Sequence, residues 1–175
     1  MAHVGAFRGL LGLLAATVAA APAGAQPIEY AVKASYLYKF APFVQWPPTA
    51  FANPAAPLAI CIAGHDPFGK MLDEAVRGQR VNGHPIEIRR IDAIRPGIAC
   101  HILFASGEGS DQALRALAHE PVLTVTDRSH GGTGGMIQFV TIGGRIRFAV
   151  DQAAAEQSGI TISSKLLGLA VSVTR

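Results

Sequence analysis

Leu58–Gly69, LAICIAGHDPFG, is the stretch that decides the fold. Its first five residues, Leu58 to Ile62, are apolar without a break, as in a strand covered on both faces rather than one alternating between core and water. Gly64 supplies a tight turn. Asp66 offers an N-cap oxygen and Pro67 a first helical residue that needs no amide hydrogen, so the stretch reads as strand, turn and helix start. Cys61 lies in the middle of the strand. The only other cysteine, Cys100, opens a second apolar run, Cys100–Ala105 (CHILFA). A bond between them would tie two sheet strands together across the intervening helix and hairpin.

Upstream, the chain opens with the pattern of an export signal: Arg8, the apolar run Leu10–Ala21, and the small-residue cleavage pattern Ala23-Gly24-Ala25. The apolar run is shorter than the roughly 20 residues a membrane-spanning helix needs. No cysteine follows the cleavage pattern, which argues against a lipid anchor. The expectation is a signal peptide over residues 1–25 and one exported domain over 26–175, long enough to bury a single core. The formal net charge is +3, and one of those charges is Arg8. The remainder are interspersed in sign, with no Lys/Arg-rich stripe of the kind that binds nucleic acid. Export gives the cysteine count its meaning. An even pair in an oxidising compartment reads as a disulfide, the other reading being two unpaired core thiols. Closing a loop of about 40 residues would stabilise the fold by roughly 4 kcal/mol in the chain-entropy picture. There is no C-x-x-C, so a thioredoxin-like role lacks its motif.

Glu29–Trp46, EYAVKASYLYKFAPFVQW, reads as a helix with an unusually broad apolar surface. One stripe runs Tyr30, Ala34, Leu37, Ala41, Val44 and a second runs Val32, Tyr36, Phe40, Phe43, leaving Lys33, Ser35 and Lys39 as its polar side. Such a helix lies deep in the core or packs on two surfaces, which makes Tyr36 and Phe43 candidate partner contacts. Pro42 should kink or end it near Ala41, and Trp46-Pro47-Pro48 then forces an extended exit. Downstream, Pro67–Arg77 reads as a helix, Val81-Asn82-Gly83-His84 as a turn, and Ile86, Ile88 and Ile91 mark a strand. Asp111–His119 is a short helix and Pro121–Thr126 another strand. This alternation predicts an α/β fold with a mainly parallel sheet flanked by helices.

Met136–Asp151 changes character. MIQFVTI, Gly143-Gly144 and RIRFAVD form an antiparallel hairpin with a two-residue turn. That turn sets Phe139 against Phe148, Ile137 against Val150 and Thr141 against Ile146 on the core side. The other side pairs Ile142 with Arg145, Val140 with Arg147 and Gln138 with Ala149. Two arginines among aliphatics make either a solvated face with snorkelling stems or a contact surface. Gln152–Gln157 is a short helix stopped by Gly159, and Ser163 or Ser164 caps a last helix containing Leu166, Leu167 and Leu169.

Catalytic motifs are missing: there is no G-x-S-x-G, S-x-x-K or H-E-x-x-H. The histidines beyond the leader, His65, His84, His101, His119 and His130, fall one per element, without metal-ligand spacing. Neither a metal nor a cofactor is expected. His65, Asp66 and Phe68 stand where an open α/β sheet forms a ligand crevice, although a turn histidine beside a capping aspartate is the stronger reading of His65 and Asp66. His130–Gly135 (HGGTGG) lacks the helix start and lysine of a phosphate cradle and reads as a flexible loop. Asp66, Asp127 and Asp151 lie at element ends, where capping explains them. The residues point to a binding or regulatory domain and not to an enzyme.

Taken in order, EYAVKASYLYKFAPFVQWP, ICIAGHDPFG, CHILFAS, VLTVTD, GGMIQFV, GRIRFAVD and ISSKLLGLA resemble the YfiR family (DUF4154) over the whole chain from Glu29 onward. The resemblance implies a periplasmic regulator. It would bind and repress the periplasmic sensor portion of an inner-membrane diguanylate cyclase, so lowering cyclic-di-GMP signalling, and an OmpA-like lipoprotein would sequester it. It also implies a homodimer and a disulfide at Cys61 and Cys100. A second cysteine pair found in some relatives has no counterpart here, and Pro42 stands where similar sequences are usually polar or basic. The other functional expectation is a periplasmic small-ligand sensor that uses the crevice at His65, Asp66 and Phe68.

Overall fold

The computed structural model describes residue 1 and residues 25–107 and 109–175. The export signal expected over residues 1–25 therefore lies almost entirely outside the described residues. The central stretch behaves as its apolar run requires. β2 (Leu58–Ala63) is buried at every position and pairs in parallel with β4 (His84–Ile91) on one side and β5 (Ile102–Ala105) on the other. Beyond β5 the sheet continues through β6 (Leu123–Asp127) and β7 (Ile137–Ile142), all parallel. The antiparallel β8 (Arg145–Asp151) follows, with the short β10 (Val173–Thr174) on its outer edge. β3 (Arg80–Val81) closes the opposite edge, giving eight strands. A separate two-stranded ribbon joins β1 (Val44–Gln45) to β9 (Thr161–Ile162). The expected class, a mainly parallel sheet flanked by helices with a C-terminal antiparallel hairpin, is the observed one.

Side-chain alternation splits the core into two layers. Ile60, Ile62, Ile102, Phe104, Leu123, Val125, Phe139 and Phe148 face α1 (Ala25–Phe40) and α2 (Lys70–Val76). Cys61, Ala63, Leu103 and Ala105 face the other way, under α3 (Ser110–Leu114) and the residues that follow it. Cys61 and Cys100 are bonded, with Cα atoms 5.9 Å apart. Cys100 lies two residues before β5 rather than in it, so the bond anchors the entry to that strand. The α4 helix (Gln152–Gln157) and α5 (Ser164–Leu167) complete the fold, capped by Asp151 and Ser163.

Several sequence expectations shift in detail. The first α-helix ends at Phe40 and passes through a single 3₁₀ turn, Ala41–Phe43, with Pro42 in it. Proline ends the helix where expected, but Val44 and Gln45 then pair with β9 instead of prolonging it. α2 begins at Lys70, not Pro67. Asp66 Oδ1 accepts from the backbone N–H of Phe68 and Gly69, closing an Asx turn just ahead of the helix. The HGGTGG loop is closely packed: a Cβ on Gly132 would lie 2.8 Å from the Asp127 nitrogen, and one on Gly135 2.8 Å from the Ile137 oxygen. Glycine is needed there for close approach of backbone to backbone.

Candidate functional site

Two groups of charged side chains lie on or against the unit formed by α1 and the β7–β8 hairpin. The first is buried. Lys33, expected on the polar side of the helix, is instead completely buried, 0% exposed. Its ammonium donates to Glu29, one turn earlier on α1, and to Asp127 Oδ2 at 2.5 Å. Asp127 ends β6 and is equally buried. Its Oδ1 caps the next turn by accepting from Ser129 N–H at 3.1 Å, and its Oδ2 lies 2.9 Å from His130 Nδ1. Capping is thus only part of its role, because Asp127 also pins α1 to the end of the sheet. Tyr30 packs against this cluster, with Lys33 Nζ 5.2 Å from its ring centre. Its phenol is pushed up by burial and by the carboxylates of Asp127 and Glu29. Glu29, Asp127 and His130 bring ligand atoms within 4.8 Å of one another, as a metal site would. The Lys33 ammonium already hydrogen-bonds both carboxylates, so the chain itself supplies the countercharge that burial demands.

The second place is exposed. Gly143 and Gly144, both at positive φ, make the two-residue turn, and all six cross-strand pairs of β7 and β8 are those the turn predicts. Phe139 and Phe148 therefore face α1, where Tyr36 and Phe40 meet them at ring separations of 5.2 to 6.0 Å. Arg145 and Arg147 alternate to the opposite side, both exposed, and neither forms an ion pair among the described residues. Beside them Ile142, 54% exposed, stands at the tip. A groove of about 700 Å³ runs between α1 and this hairpin, lined by Ile28, Val32 and Tyr36 on one wall and Thr141, Ile146 and the two arginines on the other.

The structure thus brings Tyr36, Arg145 and Arg147 together along one groove, and places Phe43 elsewhere, half-buried against the core. Of the crevice residues, His65 is exposed after β2, and Phe68 is turned into the core against Phe104 and Tyr30. Asp66 is held by Arg90, which also grips Asp73 and the Gly69 carbonyl. Those two carboxylates raise the Arg90 guanidinium above its ordinary value.

Sequence reasoning missed the buried environment of His101. Its Nδ1 accepts from Ala59 N–H and its Nε2 donates to the Ala50 carbonyl, each at 3.0 Å. Phe51 stacks between it and His84, 4.1 Å from each ring. Burial pushes the imidazole below its ordinary value, with smaller contributions from the positive surroundings of His84 and Arg89. Nothing in residue spacing announces this, because Ala50, Phe51 and Ala59 reach His101 only through the fold. Among the described residues, no helix is long and apolar enough to cross a membrane.

A family model described as YfiR/HmsC-like (DUF4154) matches residues 30–171. The chain belongs to the YfiR/HmsC-like family. The match takes in α1 from Tyr30, every strand of the sheet but β10, both cysteines and the hairpin with its arginines. The family's coarse description is that of a periplasmic regulator of signalling.

Proposed function

We propose that this YfiR/HmsC-like chain binds and represses the periplasmic sensor portion of an inner-membrane diguanylate cyclase, lowering cyclic-di-GMP signalling. In this reading Arg145 and Arg147 make the principal contact, with Ile142 and the Tyr36 wall of the groove beside them. One observation carries it: two exposed arginines with no ion-pair partner among the described residues flank apolar side chains that remain open to solvent. Desolvating such a face is worthwhile only against a partner that supplies carboxylates and apolar surface together. Repression then follows from differential affinity. A protein that binds the off state of the sensor more tightly than its on state shifts the population toward off, with no chemical step.

An OmpA-like lipoprotein that competes for the repressor would relieve the block by mass action. The decisive genetic experiment is epistasis. Loss of this protein should raise cyclic-di-GMP, and deletion of the partner cyclase should erase that rise. A rise that persists in the double deletion would remove the cyclase as the partner.

A further inference from the structure

Residues 47–57 join β1 to β2 and lie against the starts of β2, β4 and β5, with no strand or α-helix of their own. Four of them are proline. The segment's backbone hydrogen bonds close turns within it, Ala50 N–H donating to the Pro47 carbonyl and Ala56 N–H to the Asn53 carbonyl. Two imidazoles hold it to the sheet instead. His101 Nε2 donates to the Ala50 carbonyl at 3.0 Å and His84 Nδ1 to the Ala56 carbonyl at 2.7 Å, with the Phe51 ring wedged between the two histidines. A cleft of about 330 Å³ opens beside this latch, lined by Ala50, Ala56, Pro57, Arg89, Cys100 and His101.

We propose that residues 47–57 are an acid-released strap, which protonation of His101 lifts from the end of the sheet. The neutral ring is fully committed, because Nδ1 accepts from the Ala59 N–H while Nε2 donates to Ala50. A proton on Nδ1 turns that acceptor into a second N–H aimed at the first. β2 cannot yield, being buried at every position and paired on both sides. The charged ring must also regain water, and the strap, tied down by side chains and not by the sheet's ladder, is the side that can move. The groups around the ring oppose its charge. His84 and Arg89 act on it from β4, Arg89 being paired with Glu87, while Glu120 across the cleft accepts from the Gly97 N–H. His101 makes no ion pair among the described residues. Burial holds its imidazole below the ordinary value of 6.5, so the strap is closed near neutrality and is released as the pH falls below that value. Release uncovers Trp46 and Phe51, whose rings pack edge to face in the closed form. None of this depends on the regulatory reading.

Trp46 is the chain's only tryptophan and reports on the strap, since its indole N–H donates to the His101 carbonyl and its ring meets Phe51. The test follows its emission, together with amide exchange corrected for intrinsic rates, in the disulfide-bonded protein between about pH 8 and about pH 5. The expected result is a red shift of emission in acid at an unchanged far-ultraviolet spectrum. Protection of the Ala59 amide should fall about tenfold while Cys61 and Ile62 keep theirs. His101→Gln puts an uncharged acceptor and donor in the same place and should abolish both changes; if that variant does not fold, the exchange pattern of the native chain decides alone. Emission that stays fixed, or a shift that persists in His101→Gln, overturns the proposal. So does loss of protection at Ala59 and Ile62 together, which would mean that the whole domain opens in acid.

Discussion

Lys33 and the pair Arg145/Arg147 carry the same sign of charge within one helix–hairpin unit, and their surroundings give them opposite roles. Lys33 is sealed between α1 and the sheet with Asp127, with the half-buried Glu29 at the rim, and its charge is fully committed to joining helix to sheet. The arginines stand two residues apart on β8 with water around them and no ion-pair partner among the described residues. Removing a buried partner strands the charges left behind, whereas changing an exposed, unpaired charge costs the fold almost nothing. Solvent exposure, not charge, separates the residues that hold this molecule together from those it can offer to another.

The largest break in that contrast is Lys33→Met, which leaves two carboxylates with no countercharge. It should cost about 3–5 kcal/mol, read from the urea midpoint; a loss below about 1 kcal/mol would place the cluster with ordinary surface pairs. Replacing Cys61 and Cys100 by alanine should cost roughly 2–4 kcal/mol. This compares a covalent tie between strands with the ionic tie at α1. Gly132→Ala pushes a methyl group into the Asp127 backbone at 2.8 Å and should cost about 1–3 kcal/mol.

His101 supplies a smaller, pH-dependent effect. The fold needs its Nδ1 unprotonated to accept from Ala59, and burial holds its value below that of the unfolded chain. The unfolded chain therefore binds the proton more readily. Stability is full above the ordinary value of 6.5, declines as the pH falls through it, and levels off once the folded imidazole is charged. His101→Gln should flatten that part of the stability curve, and an unchanged slope would assign the acid sensitivity to other groups. The smallest effect on stability, within about 0.5 kcal/mol, is expected for Arg145→Glu with Arg147→Glu.

What the sequence made legible, and what it did not, follows the same division between local and distant causes. The hairpin register could be read in full because Gly143-Gly144 fixes the turn and a two-residue turn fixes every pair after it. The disulfide was legible because a chain expected to be exported, with one cysteine pair, has few alternatives. The burial of Lys33 was not legible. Helical periodicity places it among polar positions, and only Asp127, 94 residues away, makes its burial tolerable. The end of the first helix was half legible: Pro42 announces the stop, but the conversion of Val44 and Gln45 to a strand depends on β9. The groove illustrates the same limit. Tyr36, Arg145 and Arg147 stood out singly, and nothing short of the α1–hairpin packing shows that three of the four candidate contacts line one groove while Phe43 does not.

The central claim is that the exposed arginines serve a partner and the buried lysine serves the fold. Titrating the purified protein against the periplasmic portion of the cyclase, with native chain and with Arg145→Glu/Arg147→Glu, tests it most directly. The account predicts saturable binding by the native chain and at least a tenfold loss, about 1.4 kcal/mol, in the double variant, at an unchanged unfolding midpoint. Equal affinity of the two proteins would contradict it.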